Sequence, residues 1–114
     1  EMLAKHPRTE AEIRRHVASY YAMISEVDSQ IGRILAALDA TGQTENTVIL
    51  FAGDNGLAVG QHGLMGKQNP YDHSWRVPMA IAGPGVARGQ RRDDLVYLYD
   101  AHPTLYDCLL YTSD

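Results

Sequence analysis

One helical period governs the first third of this chain. Ile13, Val17, Tyr20, Ile24, Val27, Ile31, Ile34 and Leu38 recur in steps that alternate four and three. That spacing keeps returning to one side of a 3.6-residue turn, so it predicts a single apolar helical face. Thr9-Glu10-Ala11-Glu12 reads as a capping box, in which the Thr9 hydroxyl accepts from the Glu12 N–H and Glu12 reaches back to Thr9. Gly42 stands where a left-handed residue would end the helix. The helix so bounded, from about Glu10 to Ala40, is roughly 45 Å long at 1.5 Å per residue. Gly32 lies inside it, where a glycine costs stability and marks a place for close packing. An apolar stripe of that length needs a broad sheet to lie on, and a chain of 114 residues has little left to build one. The expectation is an α/β segment of a longer protein whose remainder completes the sheet.

The rest of the chain supplies about three strands and a second helix. Thr47 to Gly53 is β-branched and apolar without polar alternation, which predicts a central strand covered on both faces, as in parallel sheets. Residues 54–75 read as one long loop with Gly56, Gly60, Gly63, Gly66 and Pro70. Loops of that length inside compact domains are usually functional. Arg76 to Ala82 is the second expected strand, with Pro78 placing a strand end or a bulge within it. Gly83-Pro84-Gly85 stops it, and Arg88 to Asp94 forms a charged surface turn. Leu95 to Tyr99 is the third expected strand. Asp100, with Pro103 in the following turn, starts a helix through about Leu110.

Composition removes several classes of function. With 45% hydrophobic and 21% charged residues the chain is globular rather than disordered. A formal net charge of −4 gives no overall attraction to nucleic acid. No apolar run approaches the roughly 20 residues that span a bilayer, so a membrane is not an expected partner. The single cysteine, Cys108, rules out an internal disulfide framework.

The chemistry concentrates where the first strand ends. Asp54 and Asn55 both offer oxygen, which suits Ca²⁺ or Mg²⁺ rather than a soft metal. A strand end is also where α/β folds place ligands. Asp-Asn-Gly is equally a good turn tripeptide, and spacing alone leaves both readings open. Two ligands do not fill a six- or seven-coordinate site, so others must come from elsewhere. Lys67, in Gly63-Leu64-Met65-Gly66-Lys67, carries a compact charge on a flexible stem, which suits a tetrahedral oxyanion. A solvated loop lysine is the plainer alternative. His62 and His73 share the loop, and either can serve as donor to an ester oxygen or as general acid to a leaving group. A histidine bonded to local backbone is the competing reading for both. Neither has zinc-site spacing. Tyr71, Asp72, Arg76 and Pro78 read as structural, with an Asp72–Arg76 pair holding the loop to the second strand.

Taken in order, these segments resemble the sulfatase family of the alkaline-phosphatase-like superfamily. The matching pieces are Tyr20-Tyr21-Ala22-Met23-Ile24-Ser25-Glu26-Val27-Asp28 with Ile31-Gly32, Asn46-Thr47-Val48-Ile49, and Asp54-Asn55-Gly56. Gly60-Gln61-His62-Gly63-Leu64-Met65-Gly66-Lys67, Tyr71-Asp72-His73-Ser74 with Arg76-Val77-Pro78, Gly83-Pro84-Gly85, and Asp100 with Pro103-Thr104-Leu105 complete the set. The resemblance covers about residues 10–107, within a partial catalytic domain taken as 1–114. Residues 108–114 form an atypical tail.

The resemblance implies an α/β/α sandwich and hydrolysis of a sulfate ester. It implies that Asp54 and Asn55 are metal ligands, usually for Ca²⁺, and that Lys67 contacts the sulfate. His62 falls where many bacterial members carry a histidine near the substrate, a looser match. It further implies a formylglycine nucleophile made from Cys or Ser, a sulfated small molecule or glycan as substrate, and a periplasmic or extracellular location. The family's Cys/Ser-x-Pro-x-Arg motif and its early paired aspartates are absent here, and Cys108 is followed by Leu-Leu-Tyr. This segment is therefore expected to hold half an active site and to be inactive alone. A phosphodiesterase or phosphonate monoester hydrolase of the same superfamily is the nearest alternative. Those enzymes often have His where this chain has Asn55. A non-catalytic α/β binding module, with Asp54 as a strand-end phosphoacceptor, fits the long glycine-rich loop poorly.

Overall fold

A computed structural model describes residues 6–110, without the side chain of Leu110. The tail expected at 108–114 falls outside the described residues from 111 onward.

Helix α1 spans Glu10–Ala40, as its period predicts. Both halves of the capping box form: the Glu12 N–H donates to Thr9 Oγ1 at 3.3 Å, and the Thr9 N–H donates to Glu12 Oε2 at 2.9 Å. At the other end Gly42 adopts φ +68°. The Gln43 N–H donates to the Leu38 carbonyl at 2.9 Å and the Gly42 N–H to the Asp39 carbonyl at 3.0 Å. These are the two bonds of a Schellman stop, and they satisfy carbonyls the helix would otherwise leave open. Gly32 marks no close contact: a methyl group there would have nothing within 4 Å.

Two small antiparallel sheets follow. Strand β1, Ile49–Ala52, is shorter than the expected 47–53. It pairs with β4, Met79–Ala82, in the register Ile49–Ala82, Leu50–Ile81, Phe51–Ala80 and Ala52–Met79. The expected strand 76–82 therefore begins only after Pro78, which has no N–H to give to a ladder. The expected parallel, doubly covered strand is corrected as well: the one partner of β1 among the described residues runs antiparallel, and Phe51 is exposed. The second sheet, β2 (Ala58–Val59) with β3 (Met65–Gly66), lies inside the segment read as a plain loop. One turn of helix, α2, spans Asp72–Trp75, and α3 spans Ala101–Leu110. Thr104 Oγ1 donates to the Asp100 carbonyl at 2.7 Å at the start of α3.

The expected strand at Leu95 to Tyr99 does not form. A short 3₁₀ turn covers Leu98–Asp100 instead, and Leu95 is 97% exposed. A strand needs a neighbour to take its backbone bonds, and no described strand pairs with this segment. The structure thus has the expected mixture of helix and sheet, arranged with little interior. Among the described residues only Ala58, Val59 and Ser74 are buried. Much of the apolar stripe of α1 stays open, with Ile24, Val27 and Ile34 all exposed. What core exists sits where β2 and Gly60 meet Ile13 near the start of α1. No described helix is long and apolar enough to cross a membrane.

Candidate functional site

The site begins where β1 runs out. The Gly53 N–H still donates to the Pro78 carbonyl at 3.2 Å, so pairing with the β4 segment continues up to the residue before Asp54. Asp54 then leaves the sheet with its carboxylate exposed. The Asn55 N–H donates to Asp54 Oδ1 at 2.8 Å, and Asn55 Nδ2 donates to the Gly56 carbonyl at 3.1 Å. With its amide nitrogen so engaged, Asn55 presents Oδ1 as an acceptor. Lys67 fills that position: its Nζ donates to Asn55 Oδ1 at 2.7 Å across 12 residues of chain.

Three backbone features bring these groups together. Strand β3 ends at Gly66 and delivers Lys67 directly from its pairing with β2. The Gly56 N–H donates to the Ser74 carbonyl at 2.9 Å, which ties the strand end to α2. The approach at Gly56 is so close that a Cβ would collide with the His73 carbonyl oxygen. Only glycine fits there, because any side chain would push the two segments apart.

Asp54, Asn55 and Lys67 border one open cleft of about 940 Å³, together with Asp72, Trp75 and Arg76. A smaller hollow of about 630 Å³ lies at the opposite end of β1, around Gly83 to Arg88, and holds none of the expected site residues. The larger cleft also takes in Asp93 and Asp94. Asp93 is paired with Arg91 at 3.5 Å, and the carboxylates at 54, 72 and 94 still outnumber the cleft's cations, Lys67 and Arg76, so its own field favours positive charge over negative.

His62 and His73 are placed differently. His62 sits in the Gln61–Gly63 turn with φ +52°, a left-handed conformation uncommon outside glycine. Its ring stacks on Tyr71 at 4.2 Å and 20°, and lies 5.7 Å from that of His73. The three rings form a pile, and neither histidine borders the cleft that holds Lys67. His73 Nε2 is buried there without a hydrogen-bond partner among the described residues. The expected Asp72–Arg76 ion pair is absent. A backbone bond joins the two residues instead, from the Arg76 N–H to the Asp72 carbonyl at 2.7 Å.

A hard cation fits this donor set in part. Asp54 and Asn55 both supply oxygen, and Asn55 Oδ1 already accepts from a positively charged group. Among the described residues no group of three or more His, Cys, Asp or Glu is arranged to hold a metal. Two oxygens are too few for Ca²⁺, which takes six to eight.

Residues passed over in the sequence do much of the local work. Ser74 is a buried polar residue and its hydroxyl donates to Asn69 Oδ1 at 2.9 Å. The Trp75 indole N–H donates to the Asn69 carbonyl at 2.8 Å. The Asn69-Pro70 step, two residues after Lys67, was the available signal, since Asn-Pro favours turn initiation.

Comparison with known proteins places the chain in a family. The sulfatase family model matches residues 3–111. Arylsulfatase K of Gallus gallus is 37% identical over 87% of this chain and 18% of its own length. The choline-sulfatase of Rhizobium meliloti is 40% identical over 87% of this chain and 19% of its own length. A multifunctional alkaline phosphatase superfamily protein of Trinickia caryophylli is 38% identical over 88% of this chain and 20% of its own length. The chain spans about a fifth of the length of each of these curated relatives. Matched by that family model over residues 3–111, the chain belongs to the sulfatase family.

Proposed function

We propose that this chain is the part of a sulfuric-ester hydrolase that supplies Asp54 and Asn55 to a cation and Lys67 to the sulfate group. One observation carries the reading: Lys67 Nζ lies 2.7 Å from Asn55 Oδ1 within a shared cleft. A lysine so placed stands beside any oxyanion held at the strand end. The surplus of carboxylates in the cleft supports a cation as well, because the anionic sulfate ester would otherwise meet repulsion. Bound there, Ca²⁺ or Mg²⁺ supplies Lewis-acid polarisation of the sulfate oxygens. The remaining ligands and the formylglycine nucleophile belong to chain outside this sequence. The two histidines stay as secondary candidates, for contact with the substrate and, for His62, for proton transfer. A sulfated small molecule or glycan is the substrate class, and the periplasm or the exterior is the proposed location.

A second reading is phosphodiester or phosphonate monoester hydrolysis within the alkaline-phosphatase-like superfamily, the superfamily that the Trinickia caryophylli relative's name carries. Asn55 in place of histidine favours the sulfate ester. The deciding experiment compares the full-length protein on 4-nitrophenyl sulfate, a phenyl phosphonate and a phosphodiester. A higher kcat/KM on the sulfate, reduced by Asp54→Ala and by Lys67→Ala, is expected. A higher kcat/KM on either phosphorus substrate overturns the assignment.

A further inference from the structure

Asn69 has every one of its polar groups engaged, and the partners surround Lys67. Its N–H donates to the Lys67 carbonyl at 2.9 Å. Its Nδ2 donates to the Gly66 carbonyl at 3.3 Å. Those two carbonyls belong to the peptide groups on either side of the Lys67 Cα. Fixing both fixes the direction in which the lysine stem leaves the backbone. On its other side, Asn69 Oδ1 accepts from the Ser74 hydroxyl at 2.9 Å and from the Tyr71 N–H at 3.3 Å. The Asn69 carbonyl accepts from the Trp75 indole N–H at 2.8 Å.

Ser74 then closes a ring. Its carbonyl accepts from the Gly56 N–H at 2.9 Å, and Gly56 is bonded covalently to Asn55. Asn55 Oδ1 in turn accepts from Lys67 Nζ at 2.7 Å. The circuit runs from Asn55 through Gly56, Ser74, Asn69 and Lys67 back to Asn55. Ser74 is only 4% exposed, so water does not compete well for its hydroxyl, and a buried satisfied bond of this kind is costly to break.

We propose that Asn69 and Ser74 are positioning residues for Lys67, holding its ammonium in register with the Asp54–Asn55 strand end. The proposal rests on Lys67 contacting the sulfate. A long, rotamer-rich lysine gains catalytic value only when its head is held in place before the reaction, and small misplacements cost much of the rate.

A double-mutant cycle in the full-length protein tests this, with 4-nitrophenyl sulfate as substrate and inorganic sulfate as competitive inhibitor. Asn69→Ala is expected to lower kcat/KM by about tenfold or more, in line with the cost of a displaced catalytic group, and to raise the Ki of sulfate. In a Lys67→Ala background the same substitution is expected to change both by less than about twofold, because there is no ammonium left to position. Ser74→Ala, which removes one bond, follows the same pattern with a smaller effect and serves if Asn69→Ala does not fold. A merely structural role predicts losses that multiply in the double variant. Multiplying losses, with Lys67→Ala itself harmful, overturn the positioning role alone. A silent Lys67→Ala overturns the sulfate contact and the proposal with it.

Discussion

Lys67 donates to Asn55 Oδ1 at 2.7 Å, and the same oxygen is the one Asn55 would offer to a metal ion. In the proposed site the ammonium and a cation would therefore address one acceptor from the same cleft. A lysine this close to a candidate ligand would meet an oxyanion bound to that cation. The contribution expected of it is that of one preorganised electrostatic contact. In the full-length protein, Lys67→Ala should lower transition-state stabilisation by roughly 2–4 kcal/mol, read as a fall of about 30-fold to 10³-fold in kcat/KM on an aryl sulfate. Lys67→Arg should not restore it, because the planar fork cannot occupy the place of a compact ammonium. An unchanged kcat/KM for the alanine variant would remove Lys67 from the site.

Gly56 joins the strand end to α2. Its N–H bonds the Ser74 carbonyl, and a Cβ would run into the His73 carbonyl. Backbone atoms on both sides leave nothing that yields easily. Gly56→Ala should destabilise by at least the roughly 1–3 kcal/mol of an overpacked site, and it should lower activity further by moving Asn55. Thermal unfolding and kcat/KM, measured on one preparation, separate the two effects. An alanine variant with wild-type Tm would show that the approach can relax.

The sequence made some of this legible and hid the rest for identifiable reasons. The period of α1, its capping box and its glycine stop are local rules, and each appears as expected from Thr9 to Gly42. Asp54, Asn55 and Lys67 were legible as residue types at a strand end and in a glycine-rich loop. The meeting of Lys67 with Asn55 at 2.7 Å depends on the β2–β3 pair, whose two-residue strands are too short to show any alternation. Leu95 to Tyr99 has strand composition and forms no strand, since strand formation depends on a neighbour as much as on propensity. The ring through Asn69 and Ser74 could not be read at all, because an asparagine before a proline signals a turn and not what the turn holds.

The cap of α1 carries a pH dependence. The Thr9 backbone N–H, and then its hydroxyl, bond the Glu12 carboxylate and hold its pKa below the ordinary 4.5. A carboxyl depressed in the folded state adds stability above its unfolded value, and that stability is lost as pH falls through the lower folded value. The Tm difference between the wild type and Glu12→Gln should therefore be full at neutral pH and shrink once pH drops below about 4.5. Thr9→Ala removes the hydroxyl cap and should cost about 1 kcal/mol at neutral pH. A Tm difference that does not change between pH 7 and pH 3 would dissociate Glu12 from the cap.

Metal removal bears most directly on the strand end. If Asp54 and Asn55 ligate a cation in the complete site, Ca²⁺ stabilises the folded protein by mass action, by about 2.7 kcal/mol at a hundredfold excess over Kd. Chelation of the full-length protein should lower Tm accordingly, and added Ca²⁺ should restore it. Asp54→Ala deletes the charged member of the pair, and Asn55→Ala deletes the acceptor that Lys67 now engages. Both variants should lose most of the Ca²⁺-dependent rise in Tm, with Asp54→Ala losing more because a carboxylate binds a hard cation more strongly than a carboxamide does. Lys67→Ala serves as the contrast. It frees Asn55 Oδ1 and removes a like charge from the cleft, so it should keep the Ca²⁺ response or enlarge it while losing activity. A Ca²⁺ response that Asp54→Ala leaves intact would place the cation elsewhere and reduce the Asp-Asn-Gly step to a turn.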